Sequence, residues 1–370
     1  MEESKKSVQI MTKEVREQEV LKISPKRELT KSLIWVSFAS SILSVHYGYF
    51  IWIVYSPGVL LQKFFNTTSF EQSSRKYEVL ELAINIAIIP LGGIFASVMA
   101  GFLADILGRK CSLVIANITA MTSAILMSGQ RIINSLEFTF LSHLFTGLSS
   151  GFILSFVPLY VGEIAPRNYR GAMIFIHQFC LNIGILLSQI FAVKEFLGNV
   201  SGWSVLMGLA GILPLIQLFL LPCIPETPRY LMIYKKNERQ ARKVLQMLRE
   251  TDDVEDEMEE LYQEDLAEGN NKNMTPLKLI RTQSMQLQII TIVVITAGSQ
   301  LNGISLMQIK NYSCAIFWPF SIGTLIYIYK MVPETTKQTF PEIKRVMSMK
   351  TAKRFHSRES RRKLNLRRHV

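Results

Sequence analysis

Cysteine is scarce in this chain, with four in 370 residues, at Cys111, Cys180, Cys223 and Cys314, and none stands in a CxxC pair. That excludes a disulfide scaffold and gives no metal site. Charge is also sparse at 19% of residues, and it is uneven: long stretches carry almost none, while both ends and one central block carry nearly all. A compact soluble enzyme does not distribute charge this way, and no catalytic constellation stands out. Met1 to Ser32 mixes Lys and Glu and lacks the short apolar core and small-residue cleavage site of a secretory signal. It reads as a cytosolic tail, with the first apolar stretch as its own insertion signal.

What is present is apolar sequence, 49% of the chain, in runs long enough to cross a bilayer. Six follow in quick succession: about Leu33 to Tyr55, Leu80 to Leu103, Cys111 to Ser128, Phe138 to Val161, Ala172 to Val193 and Trp203 to Ile224. A polar block from Pro225 to Gln286 follows, then two more stretches, Leu287 to about Ile304 and Tyr312 to Tyr329. The expected organisation is a tail over 1–32, a six-span bundle over 33–224, a cytosolic helical loop over 225–286, two further spans over 287–331 and a basic tail over 332–370.

The net charge of +12 invites a nucleic-acid reading, but 13 of the 41 Lys and Arg lie from Lys330 onward. For a membrane protein, basic segments report orientation first. With both termini cytosolic, 35 of the 41 fall inside, including Arg109, Lys110, Arg167 and Arg170. The sequon Asn66-Thr67-Thr68 then lies in the longest outside loop, where Asn66 is the expected glycan acceptor. The bilayer is the expected partner, and nucleic acid is not.

Three inside junctions repeat one chemistry. Gly101-Phe-Leu-Ala-Asp105-Ile-Leu-Gly108-Arg109-Lys110 joins spans two and three. Glu163-Ile-Ala-Pro166-Arg167-Asn-Tyr-Arg170-Gly171 follows span four. Pro225-Glu226-Thr227-Pro228-Arg229-Tyr230-Leu231 follows span six. Each sets acid beside arginine at helix ends, where ion pairs can latch one conformation and release another. In this order and at these positions, the motifs resemble the sugar porters of the major facilitator superfamily, and within them the facilitative hexose transporters of the branch that includes the fructose transporters. Tyr47-Gly48-Tyr49, Gly198-Asn199-Val200 with Gly202-Trp203, and Val332-Pro333-Glu334-Thr335 add to the likeness.

The resemblance implies an all-α membrane protein of the major facilitator fold, whose activity is facilitated diffusion of a hexose, fructose or glucose, at the plasma membrane, with no cofactor. It assigns gating to Asp105, Arg109, Glu163, Arg167, Arg170, Glu226, Arg229 and Glu334. It also assigns sugar binding to residues matching Tyr47, Gln178, Gln300 and Asn302. An uncharged hexose needs neutral donors and acceptors, and Gln178, Asn182 and Gln189 form a polar stripe along the fifth span, within about 40° of one another. A helix-helix hydrogen bond is the competing reading for each. His46 and His143 read as packed or satisfied, and no Asp or Glu sits in the first span, which disfavours proton coupling.

The likeness is continuous from about 30 to 304, then breaks. Span seven has the family's Gln-Gln-Leu-Ser-Gly as Ser299-Gln300-Leu301-Asn302-Gly303, keeping one glutamine and losing the other, and runs on into Ser305 to Lys310; from Tyr312 the chain resembles the family's twelfth span. The Gly-Asp-Gly-Arg motif expected in the second half is absent, since no aspartate follows Asp265. The resemblance therefore implies that spans eight to eleven are missing, through splicing or in the gene model. It also implies an exposed first-half face on which another copy or a full-length relative could sit. The rival expectation is a non-transporting form that associates with such relatives or is degraded.

Overall fold

The computed structural model describes residues 29–55, 75–133, 135–193, 195–198, 202–269, 283–300 and 322–329, with the single positions 319 and 349. The chain divides into two compact units, Met1–Tyr262 and Gln263–Val370. All described regular structure is helical.

In the first unit, α1 (Lys31–Tyr55), α2 (Arg75–Leu107), α3 (Arg109–Ile133), α4 (Leu136–Ile164) and α5 (Arg170–Phe191) each contain an apolar crossing segment. The sixth crossing, Ser204–Cys223, is built from α6 (Trp203–Leu209), α7 (Ile212–Leu220) and a 3-10 turn (Leu221–Cys223). These six apolar crossings are the six read from the sequence, and they make the chain a multi-pass membrane protein. In the second crossing the apolar segment starts at Ala87 and the helix continues to Leu107, so Asp105 lies in its last turn.

Apolar burial drives helices together only weakly inside a bilayer, so close packing and interhelical hydrogen bonds must do more of the work. Two helix pairs show how. A Cβ on Gly48 of α1 would stand 2.0 Å from Leu181 O of α5, and one on Gly184 would stand 2.0 Å from Val45 O. Likewise, a Cβ on Gly147 of α4 would meet Ile89 O of α2 at 2.2 Å. Only glycine permits backbones this close. Ser44 and His177 Nδ1, 2.6 Å apart and buried, add a polar contact between α1 and α5.

The sixth crossing is not one continuous helix, contrary to its uninterrupted apolar run. Pro214 has no N–H for Ala210 O, the carbonyl four residues back, and the Ala210 N–H turns to Gly208 O. Two carbonyls are thereby freed, and α1 receives both. His46 Nδ1 lies 2.9 Å from Ala210 O, and the Tyr49 hydroxyl donates to Leu206 O at 2.9 Å. A carbonyl only accepts, so His46 carries its proton on Nδ1. In return the Gln217 amide donates to Ala39 O and Ser40 O at 3.2 and 2.8 Å. His46 is thus a satisfied histidine, as is His143, which donates to Thr139 O within its own helix.

Beyond the sixth crossing the charged block folds into α8 (Pro228–Ile233), α9 (Glu238–Arg249) and α10 (Glu255–Gly269). Thr227 caps α8 and Asn237 caps α9 with side-chain oxygens. Leu231, Met232, Ala241, Leu245, Val254 and Met258 form their shared core.

In the second unit, α11 (Gln283–Gln300) has an apolar segment, Gln288–Gly298, shorter than the six crossings. Residues 322–329 are also helical, and the Thr291 and Tyr327 hydroxyls lie 3.3 Å apart. The expected seventh and eighth spans fall partly outside the described residues.

Candidate functional site

The three inside motifs converge at one end of the bundle. Gly108, at φ +95°, breaks the chain between α2 and α3, a conformation that favours glycine. Its missing side chain leaves room for Glu226 and Tyr230, which a Cβ would meet at 2.6 and 2.8 Å. The Glu226 carboxylate accepts from the first backbone N–H groups of α3, those of Arg109 at 3.0 Å and Lys110 at 3.1 Å, and from Thr227 N–H. A carboxylate is well placed at a helix N-terminus. Burial pushes the Glu226 carboxyl up, against the downward pull of those three N–H groups and the Arg109 charge.

Arg109 sits at the centre. Its guanidinium takes Glu163 in a forked arrangement, Nε to both carboxylate oxygens at 3.1 and 3.0 Å and a terminal nitrogen to Oε1 at 3.0 Å. The two side chains are 6% and 2% exposed, so neither charge is compensated by water. Its other terminal nitrogen donates to Ala104 O at 3.1 Å. Tyr230 and Tyr234, one helical turn apart and stacked, each present a ring 4.9 Å from the guanidinium. The Thr227 hydroxyl donates to Glu163 at 2.7 Å, and Arg229 lies 3.9 Å from the same carboxylate. The Tyr160 hydroxyl fixes Pro225 O at 2.7 Å.

Of the residues singled out in the sequence, Asp105, Arg109, Glu163, Glu226 and Arg229 are brought together. Asp105 is at the rim, half exposed and 3.7 Å from Arg109, so the buried partner of this arginine is the distant Glu163 and not its near neighbour in sequence. Arg167 stands in the turn after α4 and Arg170 opens α5, both half-buried. Glu334, Asn302 and Asn66 lie outside the described residues, and Gln300 closes α11. Sequence reasoning missed Thr227, Tyr230 and Tyr234. Thr-Pro is a readable helix start, but nothing local tells that two tyrosines flank an arginine over a hundred residues away. Tyr234→Leu is expected to cost about 1 kcal/mol, one cation-π contact, seen as a lower melting temperature in detergent.

The second feature is a face. Gln178, Asn182 and Gln189 are exposed along α5, while His177 and Ser188 beside them are buried. Tyr47 of α1 is half-buried against the main core. The stripe therefore lies on the uncovered side of the first unit's α1–α5 pair, among exposed Phe175, Phe179 and Leu186.

An all-helical membrane bundle of this architecture is that of the major facilitator class, whose solved members share it. The E. coli xylose transporter XylE, in a partially occluded inward-open conformation, superposes with a TM-score of 0.61 at 18% identity, covering 80% of this chain and 67% of that one. A double-tryptophan XylE mutant gives 0.64 at 19% identity, with the same coverage. The family profile described as "Sugar (and other) transporter" matches residues 36–317, and the chain belongs to that family, whose members are transporters and not enzymes. Rat solute carrier family 2, facilitated glucose transporter member 5, is 40% identical over 283 residues, 75% of this chain and 56% of the relative. The human protein of that name is 40% identical over 266 residues, 71% of this chain and 53% of its own length. Mouse facilitated glucose transporter member 7 is 36% identical over 295 residues, 78% and 57%. The chain spans about half the length of the curated relatives it matches.

Proposed function

We propose that this chain carries a hexose, fructose or glucose, down its gradient by alternating access, with the Arg109 end in the cytosol and the plasma membrane as its location. The observation that supports this reading is the stripe of Gln178, Asn182 and Gln189, neutral and polar, exposed on an otherwise apolar crossing helix. Such side chains exchange hydrogen bonds with sugar hydroxyls and with water at similar cost, so loading and emptying are both feasible. Tyr47, Gln300 and Asn302 complete the proposed sugar contacts. Asp105, Arg109, Glu163, Arg167, Arg170, Glu226, Arg229 and Glu334 form the proposed gate, and Asn66 bears the proposed glycan on the outer side.

The test is uptake of radiolabelled fructose and glucose by proteoliposomes of the 370-residue chain. Uptake above empty vesicles, reduced about tenfold or more in Gln178→Ala, is the expected result; one buried hydrogen bond to a sugar is worth about that. A second reading has its own support, because α2 also exposes Phe95, Val98 and Phe102 in a row. On that reading the uncovered face binds another copy or a full-length relative and nothing is transported. Uptake at the empty-vesicle level sinks the carrier reading, and co-purification with a tagged relative then supports the second.

A further inference from the structure

Two helix caps 218 residues apart in sequence are closed by the same few atoms. Thr30 caps α1: its hydroxyl oxygen accepts the Leu33 N–H at 3.3 Å while the hydroxyl donates to Leu248 O in the last turn of α9. Ser32 gives its backbone N–H at 2.9 Å and its hydroxyl at 2.7 Å to the carboxylate of Glu250. Glu250 is the left-handed residue, φ +54°, that ends α9. Between them Arg249 donates to Ile164 O at the end of α4, at 3.1 Å, and pairs with Glu257 at 2.8 Å. Three consecutive residues thus tie α9 to the start of α1 and the end of α4. The Arg249 side is buried and the Ser32–Glu250 side is exposed.

We propose that the Thr30–Ser32 hydroxyl pair is a phosphorylation switch that opens this clasp. The hydroxyl oxygen attacks the γ-phosphorus of ATP, the bond to the β-phosphate oxygen breaks, the hydroxyl proton passes to the kinase's base and ADP leaves. Lys26 and Arg27 precede Thr30 by four and three residues, and Lys31 precedes Ser32, a basic context that suits a kinase with an acidic substrate groove. The modified Ser32 loses its donor and gains roughly two negative charges against the Glu250 carboxylate it now holds. The start of α1 favours the phosphate, which is covalently placed to take the Ser32 N–H that Glu250 held. Glu250 is the group expelled. Modification of Thr30 acts on the same clasp by removing the donor to Leu248 O.

The proposal rests on the assignment of the Arg109 end to the cytosol, where ATP is available, but its test does not. The purified full chain in detergent is treated with ATP and a basophilic kinase, phosphosites are mapped by mass spectrometry, and hydrogen exchange is followed in α9. Phosphate on Thr30 or Ser32 is expected, with α9 amides exchanging about tenfold faster or more, as for a locally released element. Ser32→Asp should reproduce this without kinase, Ser32→Asn should not, and Ser32→Asp with Glu250→Lys should restore protection by inverting the sign of one partner. Absence of phosphate at both hydroxyls overturns the proposal. So does unchanged exchange in Ser32→Asp, or a double variant that exchanges as fast as the single one. None of these outcomes depends on sugar uptake.

Discussion

An Arg109→Met chain is expected to lose about 3–5 kcal/mol of stability, the cost of stripping a buried ion pair of one partner. Methionine fills much of the volume but leaves the Glu163 carboxylate, 2% exposed, facing its former partner's site without a forked donor. The remaining contacts do not compensate. Thr227 supplies one hydrogen bond, and Arg229, at 3.9 Å, is beyond hydrogen-bonding distance. Asp105 is not a source of rescue, since it is half exposed and of the same sign as Glu163. A second substitution, Glu163→Gln, removes the stranded charge, so Arg109→Met with Glu163→Gln should recover more than half of the loss. The measurement is unfolding in detergent micelles for the single and double variants. If the double variant is as unstable as Arg109→Met alone, the damage lies in the lost tyrosine stacking and the Ala104 contact, and the buried-charge account fails.

The same network bears on transport. A gate must be stable enough to hold and weak enough to release, and a dry, forked pair reinforced by two aromatic rings is costly to open unless something else accepts its charges. In this chain every described partner of Arg109 belongs to the first unit: Ala104, Asp105, Glu163, Glu226 and the two tyrosines. The arrangement ties together the end of α2, the start of α3, the end of α4 and the start of α8. On the proposed function it is the rigid base against which other charged groups engage, and Arg109→Met should therefore lower the amount of folded carrier more than it alters the affinity for sugar.

How far the molecule was legible in its sequence depends on the range of the forces involved. Apolar run length is a local property, and all six crossings were readable from it. The acids and arginines of the three inside motifs were also readable one by one. Their pairing was not: Asp105, four residues from Arg109, looks like its natural partner, yet desolvation makes the distant, enclosed Glu163 the one that matters. The break in the sixth crossing was missed for a related reason. Pro214 announces a lost hydrogen bond, but Pro90 and Pro158 do so too inside the unbroken α2 and α4, and the local sequence does not say which neighbour supplies a replacement donor. Here that donor is on α1, far away in sequence.

His46→Phe keeps an aromatic ring near Phe50, whose ring centroid is 4.8 Å away, but removes the donor to Ala210 O. A buried carbonyl left without a partner costs about 2–3 kcal/mol, and the bundle interior offers no water to relieve it. Pro214→Ala restores the backbone N–H that Ala210 O lacks and removes the proline ring from its path, so the sixth crossing can close its own ladder. His46→Phe on the Pro214→Ala background should therefore cost less than about 1 kcal/mol, the remainder being lost packing. The four chains form a double-mutant cycle read by unfolding in detergent. A coupling near zero, with His46→Phe equally damaging whether residue 214 is proline or alanine, would show that His46 acts through packing and not by satisfying the carbonyl that Pro214 frees. A large coupling would mean that this hydrogen bond, beside those of Tyr49 and Gln217, holds α1 in register with the broken crossing. Tyr47, one residue on and half-buried against the main core, would then owe its position to a proline in a different helix.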